Sequence, residues 1–361
     1  ILEDGASAVY GSDAIGGVIN IITQDDYEAF KATAYYGQFE QGDGETAEFD
    51  IRMGMQGERG GVLLDVSYTD QKEVNTQARD ESVYALPGFP FGISSGTPAG
   101  RFVFFEPAVG DFVSLAPDAG IGNNPVYDPN NPTGADFHAF GLDDRFAYQP
   151  FNHLVTPNER LSVFAKGEYE FTDNTSFRML ASYNNRKSQG QAAPVPLFFG
   201  PGGGSTFYMA NLVWPADHPF NPFGIDLDSS NLNFIGRRPI EAGPRIFNQD
   251  VDTWYVSTGL DGQFEVGGEN MYWDVTAIWS ENDARQTKLN QFNARRLATA
   301  LGPTDVCAAN FGCVPLNIVG AGSMTQEMLD YVTYTGVDNS NQELFDFTAN
   351  LSGTLIEMPA G

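Results

Sequence analysis

The chain has 361 residues and a formal net charge of −28, with 19 Lys+Arg against 47 Asp+Glu. Such a balance repels nucleic acid, and no basic stripe of the kind nucleic-acid binding needs is present. No run of about 18 apolar residues exists, which excludes a membrane-spanning helix. Membrane-spanning strands stay open, because only every second residue of such a strand faces lipid. The 40 Gly, 28 Phe and 15 Tyr favour sheet and turn.

Residues 1–23 read as a compact, glycine-punctuated β unit. Gly11, Gly16 and Gly17 let the backbone turn tightly, and Val18, Ile19, Ile21 and Ile22 form a buried strand. The chain opens in mid-strand, so residues 1–26 are expected to end one domain and residues 27–361 to start another.

Eight segments with period-two alternation follow. Phe30, Ala32, Ala34 and Tyr36 share the first face; Phe49, Ile51, Met53 and Met55 the second; Val62, Leu64, Val66 and Tyr68 the third. The fourth sets Leu161, Val163, Ala165 and Gly167 against Ser162, Lys166 and Glu168, and the fifth sets Phe177, Met179, Ala181 and Tyr183 against Arg178, Ser182 and Asn184. Trp254, Val256, Leu260 and Phe264 mark the sixth; Trp273, Val275, Ala277 and Trp279 the seventh; Phe345, Phe347, Ala349, Leu351 and Leu355 the eighth. One face of each is nearly free of charge over a membrane-sized length of about 9–11 residues, longer than the usual strand of a soluble sandwich.

The connections alternate in length. Short turns fall at 56–60, 173–174 and 267–269, and long ones near 75–158, 192–250 and 290–341. Only the first pair departs, with a modest loop at 41–44. An antiparallel meander puts alternate connections at opposite ends, so the short turns share one end and the long loops the other, as in an outer-membrane barrel. The fold class expected is therefore all-β, a transmembrane antiparallel β-barrel.

Cys307 and Cys313 lie in one loop with no His or third Cys near enough for a zinc set, so a loop-closing disulfide and an oxidising compartment are expected. Searches for chemistry give little. Gly200–Ser205 lacks the Lys of a phosphate loop, and Gly5–Val9 lacks the second Gly of a nucleophile elbow. His138, His153 and His218 have no metal-ligand spacing. Asp226, Asp228 and Asp128 read either as calcium ligands or, more simply, as caps of their own turns. No enzyme, cofactor or resident metal is expected. The long loops carry Phe89, Phe91, Phe102, Phe104, Phe105, Phe198, Phe199, Tyr208 and Trp214, which offer either stacking surface to a ligand or cores for the loops. Arg237–Arg238 and Arg295–Arg296 either attract an anionic ligand or pair with nearby carboxylates.

Taken with the strand pattern, the run from Leu2 to Thr23, with Tyr10-Gly11 and Gly16-Gly17-Val18-Ile19-Asn20-Ile21, resembles the closing segment of the plug domain in TonB-dependent outer-membrane receptors. Asp4-Gly5-Ala6 stands where many members have Arg-Gly-Pro. Asp217–Gly224 and Cys307–Asn317 resemble loop segments of large members more weakly. The resemblance implies a plug of roughly 130–150 residues inside a barrel of about 22 strands, of which this chain holds the end of the plug and the first eight or so strands. It also implies uptake of a scarce solute across the bacterial outer membrane. The partners implied are the TonB–ExbB–ExbD energy-coupling complex, acting through the plug, and outer-membrane lipid and lipopolysaccharide. A ferric siderophore is the default cargo, with cobalamin, oligosaccharide or peptide as alternatives. A passive porin or adhesin, and a soluble β-sandwich domain, are the competing readings. One expectation is directly testable: without reductant, thiol reagents should label neither Cys307 nor Cys313, and two reactive thiols would remove the inference about compartment.

Overall fold

The computed structural model describes residues 27–86, 89, 92–118 and 124–354. The motif residues Tyr10, Gly11, Gly16, Gly17, Val18, Ile19 and Asn20, together with Phe91 and Leu355, lie outside the described residues.

The chain begins as β1 (Ala29–Gly37), β2 (Thr46–Gly57) and β3 (Gly60–Gln71). A first excursion carries β4 (Val74–Asn75), β5 (Arg101–Glu106), β6 (Asp111–Pro117), β7 (Phe137–Ala139) and β8 (His153–Val155). The chain returns as β9 (Asn158–Thr172) and β10 (Thr175–Ala192), then leaves for β11 (Leu197–Phe199) and β12 (Leu232–Arg237). It returns again as β13 (Arg245–Val266) and β14 (Glu269–Phe292), makes three short helices, and continues as β15 (Thr333–Gly353).

The long strands form one antiparallel sheet in the order β1-β2-β3-β9-β10-β13-β14-β15. The turns Glu58-Arg59, Asp173-Asn174 and Gly267-Gly268 all lie at one end, and every excursion leaves from the other. Gly267 and Gly268 have φ of 65° and 93°, the left-handed pair that a two-residue hairpin turn demands. Among the described residues no ladder joins β1 to β15, so both edges of the sheet are open.

The register aligns the apolar faces into continuous rows. One crosses all eight strands as Phe30, Met53, Leu64, Ala165, Ala181, Val256, Trp279 and Phe345. Among the described residues nothing covers this face: Phe30, Met55, Val62, Trp254, Phe345 and Phe347 are all exposed, Phe345 to 71%. The opposite face holds polar pairs such as Arg52–Asp65 at 2.7 Å and Arg178–Asp261 at 2.8 Å.

The eight segments stand as strands, but several run further than alternation indicates. β13 starts at Arg245 and β15 at Thr333, so the second and third loops end at 244 and 332 rather than near 250 and 341. The reason lies in Asn248–Asp250 and Asp338–Gln342, which are polar on both faces and show no period-two signal.

The three long excursions share one core. β11, β12, β5, β6 and β7 form a second sheet in that order, drawing strands from the first two excursions. Leu297, Ala300, Leu301, Met328, Leu329 and Val332, from helices Ala294–Leu301 and Gln326–Val332 of the third, pack into the same cluster. Phe223 is its hub, with ring centroids 4.6 Å from Phe104, 5.1 Å from Tyr127, 5.3 Å from Phe102 and 5.6 Å from Phe137. Replacing Phe223 by Ala should cost the cap about 3–5 kcal/mol. Hydrogen exchange should report faster opening in all three excursions while the β9–β10–β13 ladders keep their protection; exchange confined to the second excursion would refute a shared core.

Candidate functional site

The cap sits on the rim of the sheet through hydrogen bonds that sequence separation hides. Gln191 Nε2 donates to Phe151 O at 2.9 Å, Asn152 Oδ1 accepts from Ala193 N at 2.9 Å, and Arg245 Nε donates to Ala193 O at 2.7 Å. The modest β1–β2 loop joins through a two-pronged ion pair of Arg79 with Asp43, at 2.7 and 2.8 Å, which holds the Asp43 carboxyl below its usual range.

Below the cap, on the polar face, lies a groove of about 560 Å³ between the rim ends of β3, β9, β10 and β13. Arg160 and Arg186 face each other across the β9–β10 ladder and project into it. Arg186 Nη2 donates to Gln249 Oε1 at 3.3 Å, and Phe247 supplies an apolar wall. No carboxylate lines the groove.

Two other hollows have a different character. On the apolar-face side, just beyond the apolar rows, a groove of about 520 Å³ mixes Lys72, Lys187 and Arg285 with Asp70, Glu159 and Asp250. Here the charges compensate, with Lys72 2.8 Å from Asp70. On the polar face near the hairpin turns, a hollow of about 430 Å³ is acidic, with Glu58, Glu168, Glu170 and Asp261 against Arg178.

Most of the aromatic and basic loop residues singled out in the sequence are structural. Phe102, Phe104, Phe199 and Trp214 are 0% exposed, so they build the cap core and offer a solute no surface. Arg237 is also 0% exposed and Arg238 5%. Arg237 donates to Arg238 O at 2.7 Å, Glu241 Oε1 at 2.5 Å and Gly320 O at 3.1 Å, which ties the second excursion to the third. Arg238 donates to Pro194 O at 2.7 Å and Ser94 Oγ at 3.0 Å and lies over Phe146 and Tyr148, which ties it to the first. Burial lowers the guanidinium pKa of both, that of Arg238 to about 10. Arg296 donates to Tyr331 O at 3.0 Å. Phe105 and Tyr208 are exposed and Phe198 is half-buried, so these three keep surface for a partner. Sequence reading passed over Arg160 and Arg186, although both share the parity of the polar residues of their strands.

Cys307 and Cys313 form the expected disulfide, with Cα atoms 5.4 Å apart. Among the described residues no group of three His, Cys, Asp or Glu is placed to hold a metal ion. Asp226 accepts from Ala216 N at 2.7 Å, Asp228 from Ser230 N at 2.8 Å and Asp128 from Asn130 N at 2.9 Å. These carboxylates serve their own loop backbones.

His218 joins two excursions. Its Nδ1 accepts from Trp214 Nε1 at 3.1 Å, which places the ring proton on Nε2, donating to Ala300 O at 3.1 Å. His138 lies in the open, between Asp144 at 2.8 Å and Asp118 at 2.5 Å.

No protein-family model matches the sequence, and no relative is found among curated proteins. Among solved structures, the chain is similar to BauA, the ferric preacinetobactin receptor of Acinetobacter baumannii, with 10% identity and a TM-score of 0.34 over 91% of this chain and 38% of that one. It is similar to the ferric-catecholate import receptor Fiu of E. coli K12, with 13% identity and a TM-score of 0.33 over 98% and 46%. It is also similar to the siderophore receptor PiuA of Acinetobacter baumannii, with 15% identity and a TM-score of 0.33 over 97% and 44%. The chain thus spans less than half the length of these receptors.

The two histidines should titrate in opposite directions from the ordinary value of about 6.5. Burial lowers the pKa of His218. Its contribution to stability is therefore present above about 6.5 and lost as pH falls through the lowered value. The hydrogen bond that His138 donates to Asp144, with Asp118 in support, raises the pKa of His138. That contribution is complete below about 6.5 and lost as pH rises through the raised value. Side-chain NMR titration should resolve one midpoint on each side, and coincident midpoints would contradict the buried Trp214–His218–Ala300 chain.

Proposed function

We propose that the chain forms wall and extracellular cap of a TonB-dependent outer-membrane receptor that captures a scarce solute, with a ferric siderophore as the leading cargo. The observation that carries this reading is the apolar face running uncovered across eight strands. A soluble sandwich packs such a face on a second sheet about 10 Å away. Here the second sheet belongs to the cap and packs within it.

The upper limit of the apolar face supports immersion in lipid. It ends at Tyr68 and Leu161 on β3 and β9, one row lower at Tyr183 and Trp254 on β10 and β13, and lower again at Trp279 and Phe345 on β14 and β15, while on β2 it continues past Phe49 to Ala47, opposite Tyr36 of β1. The next residues on that face are Asp70, Glu159, Asn185, Asp252, Glu281 and Glu343. From β3 to β15 the limit descends about 13 Å over about 24 Å of sheet, so the strands cross a flat boundary at roughly 28°. Oblique strands are what a closed barrel requires. Aromatics mark the boundary, with Tyr183 and Trp254 stacked 4.3 Å apart.

In lipid, an unpaired backbone N–H or C=O costs several kcal/mol. The open edges at β1 and β15 therefore call for further strands to close the wall. The plug-like motif at residues 1–23 favours energy-coupled uptake over a passive porin. On this reading TonB–ExbB–ExbD acts on the plug, no covalent chemistry occurs, and ligand binding biases a rearrangement.

Ala181→Arg, at mid-depth on the apolar face, should destabilise folding into lipid vesicles by about 2–4 kcal/mol, while Ser182→Arg on the polar face should stay within about 1 kcal/mol. Denaturant titrations in vesicles measure both. Equal costs, or a full-length protein content in buffer without detergent, would overturn the reading.

A further inference from the structure

We infer that Arg160 and Arg186 form a binding site for a solute bearing several carboxylate, catecholate or phosphate oxygens. The inference rests on the receptor reading in one respect, that the polar face of the wall lines the lumen.

The register makes the case. Elsewhere on the β9–β10 ladder, charges that stand opposite one another are complementary: Arg178 faces Glu168 and Lys187 faces Glu159. Arg186 and Arg160 are the like-charged pair among these, a juxtaposition that destabilises a sheet unless something else neutralises it. The flanking strands do not. Along the row, Thr69 stands opposite Arg160 and Val251 opposite Arg186. The row toward the cap reads Gln71, Asn158, Ser188 and Gln249. The row toward the turns reads Ser67, Ser162, Asn184 and Thr253.

Two guanidinium groups thus stand in a field of hydroxyls and amides. The carboxylates in these rows are distant: Glu48 and Asp50 lie on β2, two strands from Arg160, and Asp338 lies on β15, three strands from Arg186 and paired with Lys288 at 2.6 Å. Among the described residues no ion pair joins Arg160 or Arg186 to a carboxylate. In a chain of net charge −28, an acid-free groove of about 560 Å³ holding two guanidinium groups is unusual in sign.

The chemistry of the groove specifies the ligand class. Guanidinium groups bind planar pairs of oxygens bidentately. Gln249 holds Arg186 from one side, which pre-sets its direction. The surrounding amides and hydroxyls donate to or accept from whatever oxygen atoms the two arginines leave unpaired, and Phe247 offers a face to a ring. A multiply charged oxyanion satisfies this set, and a neutral or cationic solute leaves two adjacent positive charges uncompensated.

The test uses the full-length protein in detergent, with citrate and inorganic pyrophosphate as probes and chloride at equal ionic strength as the control. Wild type should melt at a higher temperature with either probe than with chloride. Arg160→Gln, Arg186→Gln and the double variant should weaken binding by calorimetry at least about tenfold and lose the thermal shift, because each removes a charge-assisted contact. Lys187→Gln, one residue away on the opposite face, should behave as wild type. Without probe, the double variant should melt no lower than wild type, since the like-charge repulsion is gone.

Wild-type protein that binds neither probe, or a double variant that binds both as tightly, would overturn the inference. So would a double variant that is destabilised without probe, which would mean that a carboxylate elsewhere in the full chain already neutralises the pair. Partition of the same preparations between detergent and buffer reports separately on the receptor reading. Protein that needs detergent yet ignores both anions sinks the site alone.

Discussion

A sheet whose apolar face meets no other described part of the protein must find its solvent elsewhere, and that constraint organises the rest of the molecule. Water would penalise Phe30, Met55, Phe345 and Phe347 together, at about 25 cal/mol for each Å² left wet. Hydrocarbon removes the penalty but imposes another, since it offers nothing to hydrogen-bond a peptide group. Long, closely paired antiparallel ladders answer the second demand. β13 and β14 pair without interruption from Ile246–Leu289 to Val266–Glu269. The same constraint sets the turn chemistry, because a hairpin that must not fray needs a backbone already bent the right way, as Gly267 and Gly268 are.

The excursions solve a different problem. Connections this long are uncommon in compact domains unless they carry structure of their own. None of the three does so alone: the second sheet takes strands from two of them, and the helices of the third close its core. Buried polar residues then act as ties between chain segments distant in sequence. His218 links Trp214 to Ala300, and Arg237 and Arg238 link the second excursion to the third and the first. Burying a guanidinium is costly without partners, and here backbone carbonyls and Glu241 supply most of them. A cap held in this way is a rigid body, which suits a surface that must present fixed contacts.

The wall was legible in the sequence because period-two alternation has one cause, a sheet with unlike faces. Where both faces are polar the signal vanishes, and that is why the rim ends of β13 and β15 read as loop. The cap was not legible. Phe104, Phe199 and Trp214 look the same in sequence whether they face a ligand or a core, and only the register of β5, β11 and β12 puts them inside. The paired arginines Arg237–Arg238 drew attention by adjacency, which in a strand or turn sends neighbours to different surroundings. Arg160 and Arg186, 26 positions apart, meet because β9 and β10 form a hairpin around Asp173-Asn174. Counting outward from that turn with the correct bulge at Thr175–Ser176 would have found them, but a one-residue slip would not.

The charges on the polar face differ between the two ends of the sheet, and on the proposed receptor reading the difference bears on how a solute passes. Near the cap the lining is cationic and free of acids; near the turns Glu58, Glu168, Glu170 and Asp261 outnumber Arg178. An anion held at the proposed Arg160–Arg186 site would be at a minimum of potential energy, and the way toward the acidic turn end would lead uphill. A passive pore works best when binding is weak and the path beyond it is level, so that entry and exit balance. Release toward the turns then requires work, either from a moving element that displaces the solute or that screens the acidic stretch as it passes. On the proposed receptor reading, energy-coupled movement of a plug would meet that requirement and a plain diffusion channel would not.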